Sequence, residues 1–155
     1  MAGIKIQKTS QNKGGKHEYL GITFDYLHEG KVKLTMEKFL ANAVEACLEP
    51  IVGTATSPGR KDLFTVDDKD NQLKPKMANN FYRIVAKLMF AGKRASPDLQ
   101  RALAFLSTQV NNPCWKDWKK LVRFLKYING ALEMPLTLEP SAGLFIYGLI
   151  RKIRI

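Results

Sequence analysis

The sequence predicts an α+β fold: an N-terminal β-hairpin packed on a helix, a long loop, a three-helix block, and a short C-terminal β-hairpin or tail. Two patterns carry the prediction. From Leu20 to Met36 apolar residues alternate with polar ones, the period of a strand with one buried face. From Phe81 to Gly130 they recur at intervals of three and four, the period of helices. Residues 51–75, between the two, follow neither period. At 155 residues and 45% hydrophobic, the chain can bury most of its apolar surface in one or two compact units.

The boundaries follow from composition. Residues 1–16 hold Lys5, Lys8, Lys13 and Lys16 among Gly, Ser, Asn and Gln, with no acid; they read as a basic, flexible start around a short Ile4-Lys5-Ile6 strand. Residues 17–50 form the hairpin and its helix. Leu20, Ile22, Phe24 and Tyr26 make one greasy face, His28-Glu29-Gly30 turns the chain, and Val32, Leu34 and Met36 continue that face. Leu20, Ile22 and Phe24 are expected to share a core with Val32, Leu34 and the helix. Gly21, read as lying inside the first strand, marks a bulge or a close approach. Thr35 is expected to cap a helix starting at Met36, with Phe39, Leu40, Ala43, Val44, Cys47 and Leu48 inward and Glu49-Pro50 as its stop.

Residues 51–75 read as a surface loop linking two subregions. The helical block, 76–130, has three helices. Phe81, Ile84, Val85, Leu88 and Gly92 form the first stripe. Ser96-Pro97-Asp98 opens the second helix, and Leu99, Ala102, Leu103, Leu106 and Val110 face inward. Asn112-Pro113 opens the third, which buries Trp118, Leu121, Val122, Leu125 and Ile128 and ends on Gly130 as a C′ residue. In 131–155, Leu136-Thr137-Leu138 reads as a short strand, and residues 143–155 as another strand or tail.

Charge is concentrated in the helical block. Residues 81–130 contain ten Lys or Arg against two acids, Asp98 and Asp117, so they supply +8 of the formal +11. Lys116, Lys119, Lys120, Arg123 and Lys126 step by three and four along the third helix, opposite its tryptophan face. Like charges one turn apart repel, and an ordinary solvated face mixes signs. A one-signed stripe points to a polyanionic partner; its alternative is a basic surface that serves solubility alone.

Several chemistries are poorly supplied. His17, His28, Cys47 and Cys114 lack metal-ligand spacing. The two histidines have no nucleophile arranged beside them. Gly14-Gly15 lacks the ending of a phosphate loop. Two distant cysteines fit reduced, intracellular thiols better than a disulfide staple. No signal-peptide core is visible at the start, and Leu144 to Ile150 is too short to span a bilayer. Val66-Asp67-Asp68 resembles the paired aspartates that hold two metal ions in polymerases. It is followed by Lys69-Asp70-Asn71-Gln72 rather than an apolar return strand, has Thr65 where a tyrosine is expected, and reads as a solvated acidic loop.

Five pieces nevertheless occur in a telling order. They are Lys16-His17-Glu18-Tyr19-Leu20-Gly21-Ile22, the helix that follows, the run from Phe81-Tyr82-Arg83 to Leu88-Met89, Lys93-Arg94-Ala95-Ser96-Pro97-Asp98-Leu99, and the run from Trp118 through Arg123, Leu125 and Tyr127 to Gly130. Together, over about residues 16 to 140, they resemble the C-terminal part of a copia-type retrotransposon reverse transcriptase. That family reads aromatic-Leu-Gly, then Tyr-Arg-x-x-Val-x-x-Leu-Met, then Arg-Pro-Asp-Ile, then Trp-x-x-x-x-Arg-x-Leu-x-Tyr-Leu-x-Gly. The chain departs from it where Ala95-Ser96 separates Arg94 from Pro97, and where residues 143–150 carry no acid to begin a ribonuclease H domain.

The resemblance implies that Tyr19, Leu20 and Gly21 lie on the hairpin that grips the primer end, that the helix after Met36 is thumb-like, and that the helical block leads to a ribonuclease H domain. The palm, with its aspartates and its Mg²⁺, would lie before Met1. This chain is then a polyprotein fragment, catalytically incomplete alone and without a cofactor of its own. Its expected partners are an RNA–DNA or DNA duplex, contacted at the backbone by Lys116, Lys119, Lys120, Arg123 and Lys126, and the remainder of the polyprotein. An intracellular location, cytoplasmic or nuclear, is expected. Two alternatives stay open: a decayed structural or interaction fragment with no nucleic-acid function, and peripheral membrane attachment through the apolar-basic tail from Gly143 to Ile155.

Overall fold

The structure, a computed structural model, describes residues 15–27, 30–66, 70–94 and 96–139. The turn residues His28 and Glu29, the pair Asp67 and Asp68, the expected Ile4–Ile6 strand and the tail from residue 140 onward lie outside them. The fold is α+β, a four-stranded antiparallel sheet with four helices.

The strands are β1 (Lys16–Tyr19), β2 (Ile22–Tyr26), β3 (Val32–Thr35) and β4 (Leu136–Leu138), paired in that order. Tyr19 pairs with Ile22, so the strand expected from Leu20 to Tyr26 begins two residues late and is preceded by a tight reversal. Leu20 (φ 52°) and Gly21 (φ 76°) form that two-residue turn, both with the positive φ that a type I′ hairpin demands. A two-residue turn shifts the phase of the alternation, since its flanking residues Tyr19 and Ile22 share a face although three positions apart, but apolar Leu20 at the tip keeps the apparent period running back from Ile22. That is why the reversal escapes a reading by periodicity. Gly21 is therefore a turn residue and not a bulge, and Leu20 is 61% exposed at the tip instead of joining the core. Ile22 and Leu34 are buried as expected, and Phe24 is half-buried.

α1 (Glu37–Glu45) follows β3 at once. Thr35 is the last strand residue and does not cap the helix; Met36 occupies the N-cap position without a side-chain hydrogen bond. The far end of α1 is held from outside. Asn80 donates from Nδ2 to the Ala46 carbonyl at 2.8 Å and accepts from the Leu48 N–H at 3.3 Å. This satisfies a helix-end carbonyl that would otherwise lack a partner.

α2 (Pro75–Gly92) starts with proline in its first turn, where the missing N–H costs nothing. A 3₁₀ turn at Pro97–Leu99 leads into α3 (Gln100–Thr108), and the Ser96 hydroxyl makes no cap. α4 (Trp115–Gly130) begins later than Asn112-Pro113 suggests. Its cap is built from Cys114 and Asp117, whose carboxylate accepts the Cys114 N–H at 3.2 Å. Gly130 is its last helical residue and not the C′ residue; the Ala131 N–H closes the helix onto Ile128.

One core joins these parts. Phe81, Ile84 and Leu88 of α2, Leu103 and Leu106 of α3, and Trp118, Leu121, Phe124 and Leu125 of α4 are buried with Leu40 of α1 and with Ile22 and Leu34 of the sheet. β4 then returns to β3, pairing Leu136 with Leu34 and Leu138 with Val32.

Candidate nucleic-acid interface

The basic stripe of α4 is not an open helix face. Residues 53–66 and 70–72, although without helix or strand of their own beyond an isolated bridge, run along α4 in the opposite direction, bonded to it at step after step. The Asn129 side chain reaches the Gly53 carbonyl at 3.5 Å, and the Ala55 N–H donates to the Lys126 carbonyl at 3.2 Å. Arg123 Nη2 donates to Ser57 Oγ at 3.2 Å, and the Lys120 ammonium donates to the Thr65 carbonyl. The Lys116 N–H donates to Asp70 Oδ2 at 2.7 Å, the Trp115 N–H to Asn71 at 3.0 Å, and Gln72 bridges to Cys114. Leu63 and Leu73 pin this strap through apolar burial.

Between strap and helix lies a trough of about 540 Å³, lined by Gly59, Arg60, Asp62, Leu63 and Thr65 on one wall and by Lys116, Lys119, Lys120, Val122, Arg123 and Lys126 on the other. Among the described residues, six cations thus face a single lining acid, Asp62. All five stripe residues singled out from the sequence meet in this trough. Their surroundings differ sharply. Lys119 and Arg60 are exposed and form no ion pair among the described residues. Lys126 and Arg123 are half-buried, and Arg123 Nε is buried without a hydrogen-bond partner.

Lys120 is the most constrained. Its side chain is 11% exposed, 3.3 Å from Asp117 Oδ1 and 4.6 Å above the Phe105 ring. A charge held by a carboxylate, a carbonyl and an aromatic face is poorly placed to meet a phosphate as well. Lys120 therefore positions the strap, and of the five stripe residues expected to meet phosphates, Lys120 and Arg123 are both bonded to the strap. The strap covers the helix face that the sequence pattern leaves bare.

Tyr19, Leu20 and Gly21 are not among the trough's lining residues. The hairpin tip instead rests on α1, where a Cβ on Gly21 would lie 3.5 Å from Phe39 Cδ2. Phe39 packs on Phe90 with ring centroids 5.3 Å apart, and the Arg94 guanidinium sits 3.7 Å over the Phe90 ring.

Sequence reasoning missed Arg60 and Phe64. Phe64 projects from the strap between lining residues Leu63 and Thr65 and is 62% exposed, with its ring edge-on to Phe105 at 5.7 Å. The turn residues Ser57-Pro58-Gly59 ahead of Arg60 were the available signal, since they bring a loop back on itself.

The site offers little for covalent chemistry. The Cys114 thiol donates to Asp117 Oδ2 at 3.1 Å, and burial, reinforced by that carboxylate, pushes its pKa up. Burial likewise raises Cys47. Neither thiol is poised as a thiolate nucleophile. The Lys116 N–H holds the Asp70 carboxyl below its usual range. Among the described residues no three His, Cys, Asp or Glu side chains gather as metal ligands, and no helix is long and apolar enough to cross a membrane. Compared with protein-family models, curated proteins and solved structures, the chain matches none.

Proposed function

We propose that this chain is the thumb-and-connection part of a copia-type reverse transcriptase polyprotein, catalytically incomplete by itself, which binds a nucleic-acid duplex through its backbone without reading sequence. The observation that supports the binding is the trough, where Arg60, Lys116, Lys119, Lys120, Arg123 and Lys126 line one concavity against Asp62. Cations gathered on a concave surface focus a positive potential, and a polyphosphate chain is the common cellular polyanion that exploits one.

A salt series on a blunt RNA–DNA hybrid tests this reading. Affinity should fall with salt at a log–log slope of about −0.9 per phosphate neutralised. Replacing Arg60 and Lys119 by Gln should flatten the slope by roughly two units if each meets one phosphate. These two are chosen because both are exposed, whereas Arg123 carries part of the strap. An unchanged slope would favour the alternative, a structural or interaction fragment with no nucleic-acid function.

A further inference from the structure

We infer that the trough itself takes one unpaired strand of nucleic acid, with a base stacked on Phe64 at its rim. This rests on the reading above that the trough meets phosphates, and adds which form of nucleic acid enters it.

The first reason is size. About 540 Å³ is the volume of a small-ligand cleft, enough for about two linked nucleotides; a duplex can meet the exposed Arg60 and Lys119 from outside but cannot enter. A duplex laid along α4 would have to displace the strap, which is fastened at Arg123, Lys120 and Lys116. A single strand can follow the trough with the strap in place, its phosphates meeting Arg60, Lys119 and Lys126.

The second reason is Phe64. One side of its ring is seated against Phe105, while most of its surface is in water. Phe105 in turn carries the Lys120 ammonium on its face. The aromatic is thus held by Phe105 between Leu63 and Thr65, two lining residues of a cationic groove, and an exposed ring beside such a groove is how single-strand binders stack bases while tracking the backbone. A base paired inside a duplex has both faces covered by its neighbours and cannot use such a ring.

The test is fluorescence anisotropy on the full chain with a labelled oligothymidine. Its unlabelled form, a blunt RNA–DNA hybrid of equal length and inorganic polyphosphate serve as competitors. The single strand should compete at least about fivefold better than either of the others. Phe64→Ala should weaken single-strand binding by about fivefold or more, in line with the loss of one stacked base, and Phe64→Trp should restore it. Hybrid binding should be insensitive to both changes, and circular dichroism should confirm that the variants are folded. Equal competition by hybrid or polyphosphate, or no effect of Phe64→Ala, overturns this inference while leaving backbone binding intact. Failure of every nucleic acid to bind at low salt overturns both.

Discussion

Lys120 and Asp117 lie 3.3 Å apart with side chains only 11% and 5% exposed, so one turn of α4 contains a nearly buried ion pair. The pair does two things at once. Asp117 caps the helix through the Cys114 N–H, and Lys120 fastens the strap through the Thr65 carbonyl. Removing one partner leaves a buried charge without compensation. Lys120→Met should cost about 3–5 kcal/mol in urea unfolding. It should leave the salt dependence of nucleic-acid binding by the folded fraction unchanged. A one-unit drop in slope without loss of stability would make Lys120 a phosphate ligand instead.

The Asp70 carboxylate accepts the Lys116 N–H at 2.7 Å, and this bond is the first cause of its lowered pKa. A carboxyl depressed in the folded state contributes stability above its unfolded value of about 3.9. That contribution is lost as the pH falls through the lower, folded value. The Lys116 amide resonance, followed by NMR on acidification, should therefore shift with a midpoint below about pH 3.9. In Asp70→Asn the titration should vanish. A midpoint at or above the ordinary carboxylate value would contradict the bond.

Gly130 is the last residue of α4, where alanine can gain at most part of the roughly 1 kcal/mol it has over glycine in a helix interior. Here a Cβ would fall 3.0 Å from Thr54 Cβ and 3.2 Å from Thr54 Cγ2. Gly130→Ala should consequently yield none of that gain and should loosen the start of the strap. Combined with Thr54→Gly, the two changes should show a coupling of more than about 0.5 kcal/mol in a double-mutant cycle. Additive effects would mean that strap and helix end do not touch.

Leucine at a positive φ of 52° crowds its own Cβ, at roughly 1–2 kcal/mol. Asn-Gly is the favoured pair for this turn. Leu20→Asn should raise the urea midpoint, by up to about 1 kcal/mol in stability. If Leu20 also meets nucleic acid, the same change should weaken hybrid binding. Stabilisation with unchanged affinity would remove the hairpin tip from the interface.

What could be read from the residues was whatever repeats. Helices α2 and α4 were legible because Phe81, Ile84 and Leu88, or Trp118, Leu121 and Leu125, return to one face every turn. Helix ends were less so. At α4 the cap is a thiol and a carboxylate, Cys114 and Asp117, and not the hydroxyl or amide that usually signals a start. The strap was invisible for a deeper reason. Its attachments are single polar contacts, the Thr65 carbonyl with Lys120, the Ser57 hydroxyl with Arg123 and the Asp70 carboxylate with the Lys116 N–H, and such bonds leave no periodic trace. The five cations of the stripe were found from their spacing alone. Which of them reach solvent depends on the strap, and so only Lys119 stands as an exposed stripe residue with no partner among the described residues.

The return of β4 to β3 has a consequence for the order of events as the chain folds. Leu34 and Leu136 are neighbours across the sheet, yet about a hundred residues separate them along the chain. Contacts of such long range must wait for a large loop to close, and they slow folding relative to helical packing. During synthesis the β1–β2–β3 ribbon emerges about a hundred residues ahead of β4 and must hold the outer edge of β3 unpaired until β4 has left the ribosome. An unpaired edge is a template for pairing with another chain. The interval between the two strands is therefore the stage at which this protein is most exposed to aggregation.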